Sequence, residues 1–282
     1  MNAEHRGKTK INASNVYQKL RYFGKKVHGI ENKLKEEFIP QRMNLDMFLD
    51  IYYPQNEREE QRKRFPQIEP LVGFWRVGYE KMSRSKEPAH SEKHVDRILS
   101  SLDFLMTKFP KLFNHVNLEV LVTSIIYHDL WKSEQPLTAD KGVRALIKEN
   151  FIEGREASKL FTSLAREQGF DEKFIRQVSR AIYEHADFKF IKSSRESMIL
   201  SDLDYFDLWS FDRLKEAIDA VKNNPNLNIN KLRNRIIKNI FLFFYNKHEY
   251  YSDEVQHIAR ELSTKFITTL NEEIAKFRLK NP

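Results

Sequence analysis

From His94 to Ile274, apolar residues return every three or four positions through most of the chain. Runs in which apolar and polar residues alternate between turn residues are hard to find. The first spacing is that of one face of an α-helix, whereas a half-buried strand repeats every two. His94, Arg97, Ile98, Ser101, Leu102 and Leu105 share one such face, and Leu121, Ser124, Ile125, His128 and Asp129 share a second. Leu160, Phe161, Leu164 and Ala165 mark a third helix, which Gly169 is placed to end. Asp171 is placed to cap the next, with Phe174, Val178, Ala181, Ile182 and His185 along one side. Leu200, Leu203, Asp204, Asp207 and Leu208 share a further face, and Val255, Ile258, Ala259, Leu262, Phe266, Leu270 and Ile274 belong to the last helix. The pattern predicts an all-α fold.

The flanks are read more coarsely. Residues 14–45 read as one or two helices, and the charged, proline-bracketed stretch 53–66 as a linker or exposed helix. In 67–83, Leu71, Phe74, Trp75 and Tyr79 are expected to pack on the helices C-terminal to them, with a wall for stacking bases as the alternative use of the aromatic rings. Pro88 opens a new segment, 223–230 reads as a loop, and 231–245 as a long apolar helix. At 282 residues the chain has room for one large domain with appendages. The expected division is a basic helical extension over 1–80 and a main domain over 81–282 that includes the C-terminal helices.

Composition removes several classes of function. With no cysteine, there is no disulfide framework, thiolate zinc site or cysteine nucleophile, so any metal must be held by His, Asp or Glu. The longest apolar run, Ile236 to Tyr245, is interrupted by Lys238 and Asn239 and falls far short of the ~20 residues that span a bilayer. Residues 1–13 are polar, without a secretory leader. The expectation is a cytoplasmic protein with no membrane partner. Net charge is +8, and residues 1–30 hold seven Lys or Arg against one acid. Such an arm is either a solvated tail or a contact for nucleic acid or another acidic surface.

The sharpest chemical signal is where the histidines sit. His94, His128 and His185 each begin or end an apolar helical stripe, and Asp129 follows His128 directly in an apolar-rich stretch. Asp204 lies among large apolar residues in SDLDYFD. Ionisable groups in such surroundings require a partner or a bound cation. Taken singly, each has a plainer use: a buried His donating to a carbonyl, or an Asp capping a helix or pairing with a base. Their order, spacing and helical context together favour a metal site built from imidazole and carboxylate.

The order His, His-Asp, Asp resembles the HD superfamily of metal-dependent phosphohydrolases. The matching pieces are HVDRI at 94–98, IIYHDLWK at 125–132, AIYEHAD at 181–187 and SDLDYFD at 201–207. HSEKHVDRI at 90–98, the stretch 154–185 and the final helix look most like the small bacterial HD hydrolases, and the likeness runs over about residues 80–275. It implies an HD-domain helical bundle with extra N-terminal and C-terminal helices. It implies His94, His128, Asp129 and Asp204 as ligands of a divalent cation, with Asp202 the rival to Asp204. Asp204 is preferred because a second acid, Asp207, follows it, and because it lies on the Leu200/Leu208 face. Mn²⁺, Mg²⁺, Fe²⁺, Co²⁺ and Ni²⁺ all tolerate such ligands.

The resemblance further implies that Lys132 contacts a phosphate and that His185 and His90 bind a second metal or the substrate phosphate. Asp129, Lys132 and His185 would then act in the reaction. Arg97 is a candidate for substrate binding, although a salt bridge anchoring its helix is the stronger expectation. Trp131 stands where the family carries a small residue. No acidic pair follows the His-Asp motif, which argues against the alarmone branch, and no second histidine follows Asp129 as in the two-histidine cyclic-nucleotide phosphodiesterases. The implied activity is hydrolysis of a phosphate ester, with a nucleotide or other small phosphorylated molecule as substrate. A phosphodiesterase or nuclease and a non-catalytic nucleotide sensor are the alternatives. Residues 1–80 lie outside the likeness, with a lid, a dimer surface and a substrate selector as their candidate uses.

Overall fold

The eight residues Val120 to Tyr127 carry no charge, so the helix they form is stable in water only when other elements surround it. A computed structural model describes residues 40–85, 90–134, 143–185, 192–210, 212–213, 215–216 and 250–280, and every regular element among them is helical. In chain order these are α1 (Leu45–Tyr52), α2 (Arg58–Arg64), α3 (Ile68–Ser83), α4 (Glu92–Lys108), α5 (Leu118–Tyr127), α6 (Leu130–Ser133), α7 (Val143–Glu167), α8 (Glu172–His185), α9 (Arg195–Leu208) and α10 (Asp253–Lys280). Short 3-10 turns lie at Gln55–Glu57 and Pro110–Phe113. Helices α3, α4, α8 and α9 pack around α5, and residues 120–127 are all buried. The two hydroxyls in that run are satisfied locally. Ser124 donates to the Val120 carbonyl at 2.7 Å, and Thr123 donates to Glu119 while accepting from Trp75 Nε1 at 2.7 Å.

Helix boundaries follow the capping chemistry in the sequence. Asn44, Asn117, Asp171 and Ser194 each accept a backbone N–H of the first turn they precede, answering donors that the helix leaves unpaired. Helix α7 ends as expected at Gly169, which takes φ +74°. Phe170 N donates back to Ala165 O and Gly169 N to Arg166 O, the paired bonds of a left-handed C-terminal cap.

Phe74 and Trp75 are buried, and Tyr79 donates to Asp96 at 2.7 Å, so this aromatic group is spent on packing rather than on a stacking wall. Contacts cross position 80 repeatedly, among them Met43 N to Ser100 Oγ and Trp75 to Thr123. The described residues all belong to a unit that begins at Ile39. Two expectations need correction. Helix α1 begins at Leu45, where the sequence pattern predicts a helix end, because Asn44 caps it. His128 and Asp129 do not extend the α5 face as one helix. His128 closes the last turn, and Asp129, at φ −103° and ψ 6°, redirects the chain into α6. The stretch 53–66 holds a 3-10 turn and the mostly exposed α2, with Tyr53 and Gln61 buried.

At the C-terminal end, Trp209, just past the end of α9, packs with Phe266 and Leu270 of α10. Among the described residues no helix is long and apolar enough to cross a membrane. The basic arm, the helices expected within 14–39, Pro88, the loop at 223–230 and the helix at 231–245 lie outside the described residues.

Helix α3 approaches α5 so closely that a Cβ on Gly78 would stand 2.6 Å from Tyr127 Cζ and 2.7 Å from Ile126 Cγ2. Tyr127 is held by stacking on Phe74 and by donating to the Phe74 carbonyl. Alanine is the better helix former by about 1 kcal/mol, yet Gly78→Ala is expected to destabilise the protein by about 1–2 kcal/mol through overpacking. Urea unfolding measures this, and a stabilised variant would refute the close approach.

Candidate metal centre

The residues singled out from the sequence come from five places in the fold. His94 lies in the first turn of α4, with His90 just ahead of it. His128 and Asp129 form the junction of α5 and α6, His185 is the last residue of α8, and Asp204 lies within α9. Lys132 is on α6. His94, His128, Asp129 and His185 are buried, while the Asp204 side chain is 34% exposed and marks the open side of the group.

Hydrogen bonds fix which ring nitrogen each histidine presents. A carboxylate or carbonyl oxygen only accepts, so the nitrogen facing it carries the proton. His94 Nδ1 donates to Asp207 Oδ2 at 2.6 Å, His128 Nδ1 to the Ile125 carbonyl at 2.8 Å, and His185 Nδ1 to the Ile182 carbonyl. His94 and His128 thereby turn Nε2 to one point. His94 Nε2 lies 3.1 Å from His128 Nε2, 3.2 Å from Asp129 Oδ2 and 3.3 Å from Asp204 Oδ1. His128 Nε2 lies 3.4 Å from Asp129 Oδ2 and 3.9 Å from Asp204 Oδ1. Atoms bound to one divalent ion at tetrahedral or octahedral angles stand roughly 2.8–3.6 Å apart. Four of these five separations lie in that range, so each carboxylate stands at a separation from the imidazole pair that suits a shared cation. Asp202 does not join the group, because its Oδ2 accepts from Tyr251 N at 2.8 Å.

A family model described as HD domain matches residues 90–209. Residues 90–209 form an HD domain. No curated protein and no solved structure matches the chain. The HD superfamily comprises metal-dependent phosphohydrolases, and the histidines and aspartates gathered here are groups that can hold a metal. Besides His94, His128 and Asp204, two overlapping sets in this HD domain have that capacity: His90, His94 and Asp129, and His128, Asp129 and His185.

The electrostatics follow from burial and neighbours. Burial alone would lower the His94 imidazole, but the Asp207 and Asp129 carboxylates outweigh it and raise the pKa from 6.5 to about 9. His185, buried and beside His128, is pushed down to about 4 and is neutral at pH 7. Burial also lowers His90, whose Nδ1 donates to Asp129 Oδ2 at 2.5 Å. Burial opposes ionisation of Asp129, yet the charges of His90, His128 and Lys132 hold its carboxyl well below the usual range.

Two residues of the site went unassigned in the sequence. Asp207, fully buried, accepts from His94, Arg97 and Arg213. Glu153 on α7 meets Lys132 Nζ at 2.5 Å, and Lys132 also stands 3.9 Å from Asp129 Oδ1. A signal for Glu153 existed, since it precedes buried Ala157, Phe161 and Ala165 at intervals of four. Arg97, expected either to anchor its helix or to touch substrate, directs its guanidinium to Asp207 and Glu216, away from the cluster.

His128→Ala and Asp129→Ala are each expected to abolish tight binding of a divalent cation while keeping most of the helical circular dichroism. Asp204→Ala is expected to weaken metal binding, whereas Asp202→Ala leaves it unchanged and loosens the α9–α10 contact. Calorimetric titration with Mn²⁺ separates the two aspartates, and equal losses would show the wrong carboxylate has been chosen.

In the metal-free protein the stability contributed by the His94 charge is fully present below pH 6.5 and lost as pH rises toward 9. A cation must displace that proton, so its binding strengthens over the same interval. The gap in Tm between protein with excess Mn²⁺ and protein with chelator is expected to widen from pH 6.5 to pH 9. A constant gap would mean that His94 is not a ligand.

Proposed function

We propose that this chain is a metal-dependent phosphohydrolase acting on a small phosphorylated substrate, foremost a nucleotide. The observation that carries the reading is the approach of Asp129 Oδ2 and of Asp204 Oδ1, each within 4 Å of both His94 Nε2 and His128 Nε2, beside the Lys132 ammonium. These four residues hold the divalent cation, with Mn²⁺, Mg²⁺, Fe²⁺, Co²⁺ and Ni²⁺ all compatible with their mixed donors. When bound, such an ion supplies a nucleophilic water near pH 7 and neutralises charge on phosphoryl oxygens.

The remaining work falls to the chain's own side chains. Asp204 opens to solvent while the other three ligands are buried, so the substrate phosphate enters on its side. Lys132, held protonated by Glu153 and Asp129 although burial opposes it, offsets negative charge that develops on the phosphate. His185 is neutral with Nδ1 committed to Ile182, which leaves Nε2 as an acceptor that can orient a water or take a proton. His90 fixes the Asp129 carboxylate through Nδ1. Arg97 serves behind the site rather than on the substrate.

Hydrolysis of nucleic acid is a second reading, favoured by the seven Lys or Arg against one acid in residues 1–30. Binding through that arm would weaken steeply with salt.

The test is release of phosphate or pyrophosphate by protein with Mn²⁺, offered nucleoside mono-, di- and triphosphates, a cyclic dinucleotide and a single-stranded oligonucleotide. Turnover of a nucleotide class, lost in Asp129→Ala, is the expected outcome. Turnover of the oligonucleotide alone selects the nuclease. Metal binding with no turnover of any of them would replace the hydrolase with a nucleotide sensor.

A further inference from the structure

Just beyond the matched HD segment lie two residues that reach back behind the metal cluster. Arg213 Nη1 donates to Asp207 Oδ2 at 2.9 Å, and Glu216 accepts from Arg97 Nη1 at 3.2 Å. Between them stands Asp207, whose carboxylate is wholly enclosed. Its Oδ1 accepts from Arg97 Nε, and its Oδ2 accepts from His94 Nδ1 at 2.6 Å, from Arg213 and from Arg97 Nη2 at 3.3 Å. Both oxygens of this carboxylate are thus answered by donors. Asp207 lies on α9, three residues after Asp204, so one helix carries a proposed ligand and the group that grips another.

We infer that Asp207 is the positioning residue of the metal centre, held by Arg97 and Arg213, and that it fixes His94 in the tautomer and ring orientation that present Nε2 to the cation. The inference rests on the reading of His94 as a ligand. Asp207 does not itself touch the cluster. It acts by the hydrogen bond to Nδ1, because an imidazole with its proton on Nδ1 has only Nε2 left to offer a lone pair. Were the proton moved to Nε2, it would point into the cluster and obstruct the ion. The two arginines give the buried carboxylate the opposite charge it requires, and they also fix its plane. Because Arg213 and Glu216 follow the matched segment, the site is completed by chain outside residues 90–209.

Asp207→Asn is nearly isosteric and discriminating. Whichever side atom becomes the amide nitrogen, a donor then faces a donor: Arg97 on one side, or His94 Nδ1–H and Arg213 on the other. With the oxygen at the position His94 uses, the neutral amide holds Nδ1–H more weakly than a carboxylate does; with the nitrogen there, it does not hold it at all. The expected result is a metal affinity lower by about 10–100-fold, as for other partners of metal-bound histidines, with a shifted visible absorption band of bound Co²⁺. A role confined to folding would lower stability and leave both the affinity of the folded protein and the Co²⁺ band unchanged.

The experiment is a titration of full-length wild-type, Asp207→Asn and Arg213→Ala proteins with Co²⁺, read by calorimetry and visible absorption, with circular dichroism for folding. Arg213 is partly exposed and contacts only one oxygen of Asp207, so its variant keeps the proposal testable if Asp207→Asn does not fold. Arg213→Ala is expected to cost a few-fold in affinity and to move the band in the same direction. Wild type that binds no Co²⁺ refutes the metal reading itself. Wild type that binds, with folded variants matching its affinity and spectrum, overturns the role of Asp207 and leaves the metal reading intact.

Discussion

Two carboxylates each come within 4 Å of a facing pair of imidazoles at the centre of this fold, and of the four groups only Asp204 has appreciable contact with water. Bringing such groups out of solvent is expensive unless each charge has an answer nearby. The answers form layers of alternating sign. Behind His94 stands Asp207, behind Asp207 stand Arg97 and Arg213, and beyond Arg97 stands Glu216. On the other flank Asp129 is faced by His90 and Lys132, and Lys132 by Glu153. These chains tie α4, α6, α7 and α9 to one point, so the electrostatics of the centre and the packing of the helices are a single constraint.

The apolar scaffold supplies what the charges cannot, a fixed distance between elements. Helix α5 has no polar face and is enclosed by α3, α4, α8 and α9. Its register is locked where Gly78 lets α3 meet the Tyr127 ring and where Trp75 grips Thr123. His128 and Asp129 follow directly from this clamped turn. Side chains that begin at the end of a clamped helix have little freedom to drift from their geometry.

Much of this was legible in the sequence, for reasons tied to particular residues. His94, His128, His185 and Asp204 stood out because an ionisable group on an apolar helical stripe is anomalous, and the likeness to the HD superfamily supplied their expected roles. Asp207 shared the Asp204 face but drew no role, since spacing gives a face and not the depth or the partner. Glu153 stood in the buried stripe of α7, yet its partner Lys132 lies on another helix, and no local pattern joins them. The turn at Asp129 was invisible for a similar reason: the apolar period runs through His128 without marking the residue whose backbone leaves the helix. Helix α1 was missed because a broad helical reading of 14–45 ran across the Asn44 cap that starts it.

Helix α9 shows how far such a pattern can be read. Its segment SDLDYFD holds three carboxylates, at Asp202, Asp204 and Asp207. At 3.6 residues per turn, Asp202 and Asp204 lie roughly 200° apart, while Asp204 and Asp207 are separated by only about 60°. The first must therefore point away from the other two, whatever the helix packs against. In the fold Asp202 turns to Tyr251 at the start of the C-terminal segment, Asp204 to the cluster, and Asp207 to the donors beside it. The preference for Asp204 over Asp202 rested on the acid that follows it in the HD pattern and on the Leu200/Leu208 face, and the fold places Asp204 beside His94 and His128. What geometry could not supply was the division of labour between Asp204 and Asp207. That depends on Arg97 and Arg213, which surround Asp207 with donors and leave Asp204 the one carboxylate of the pair with a path to solvent.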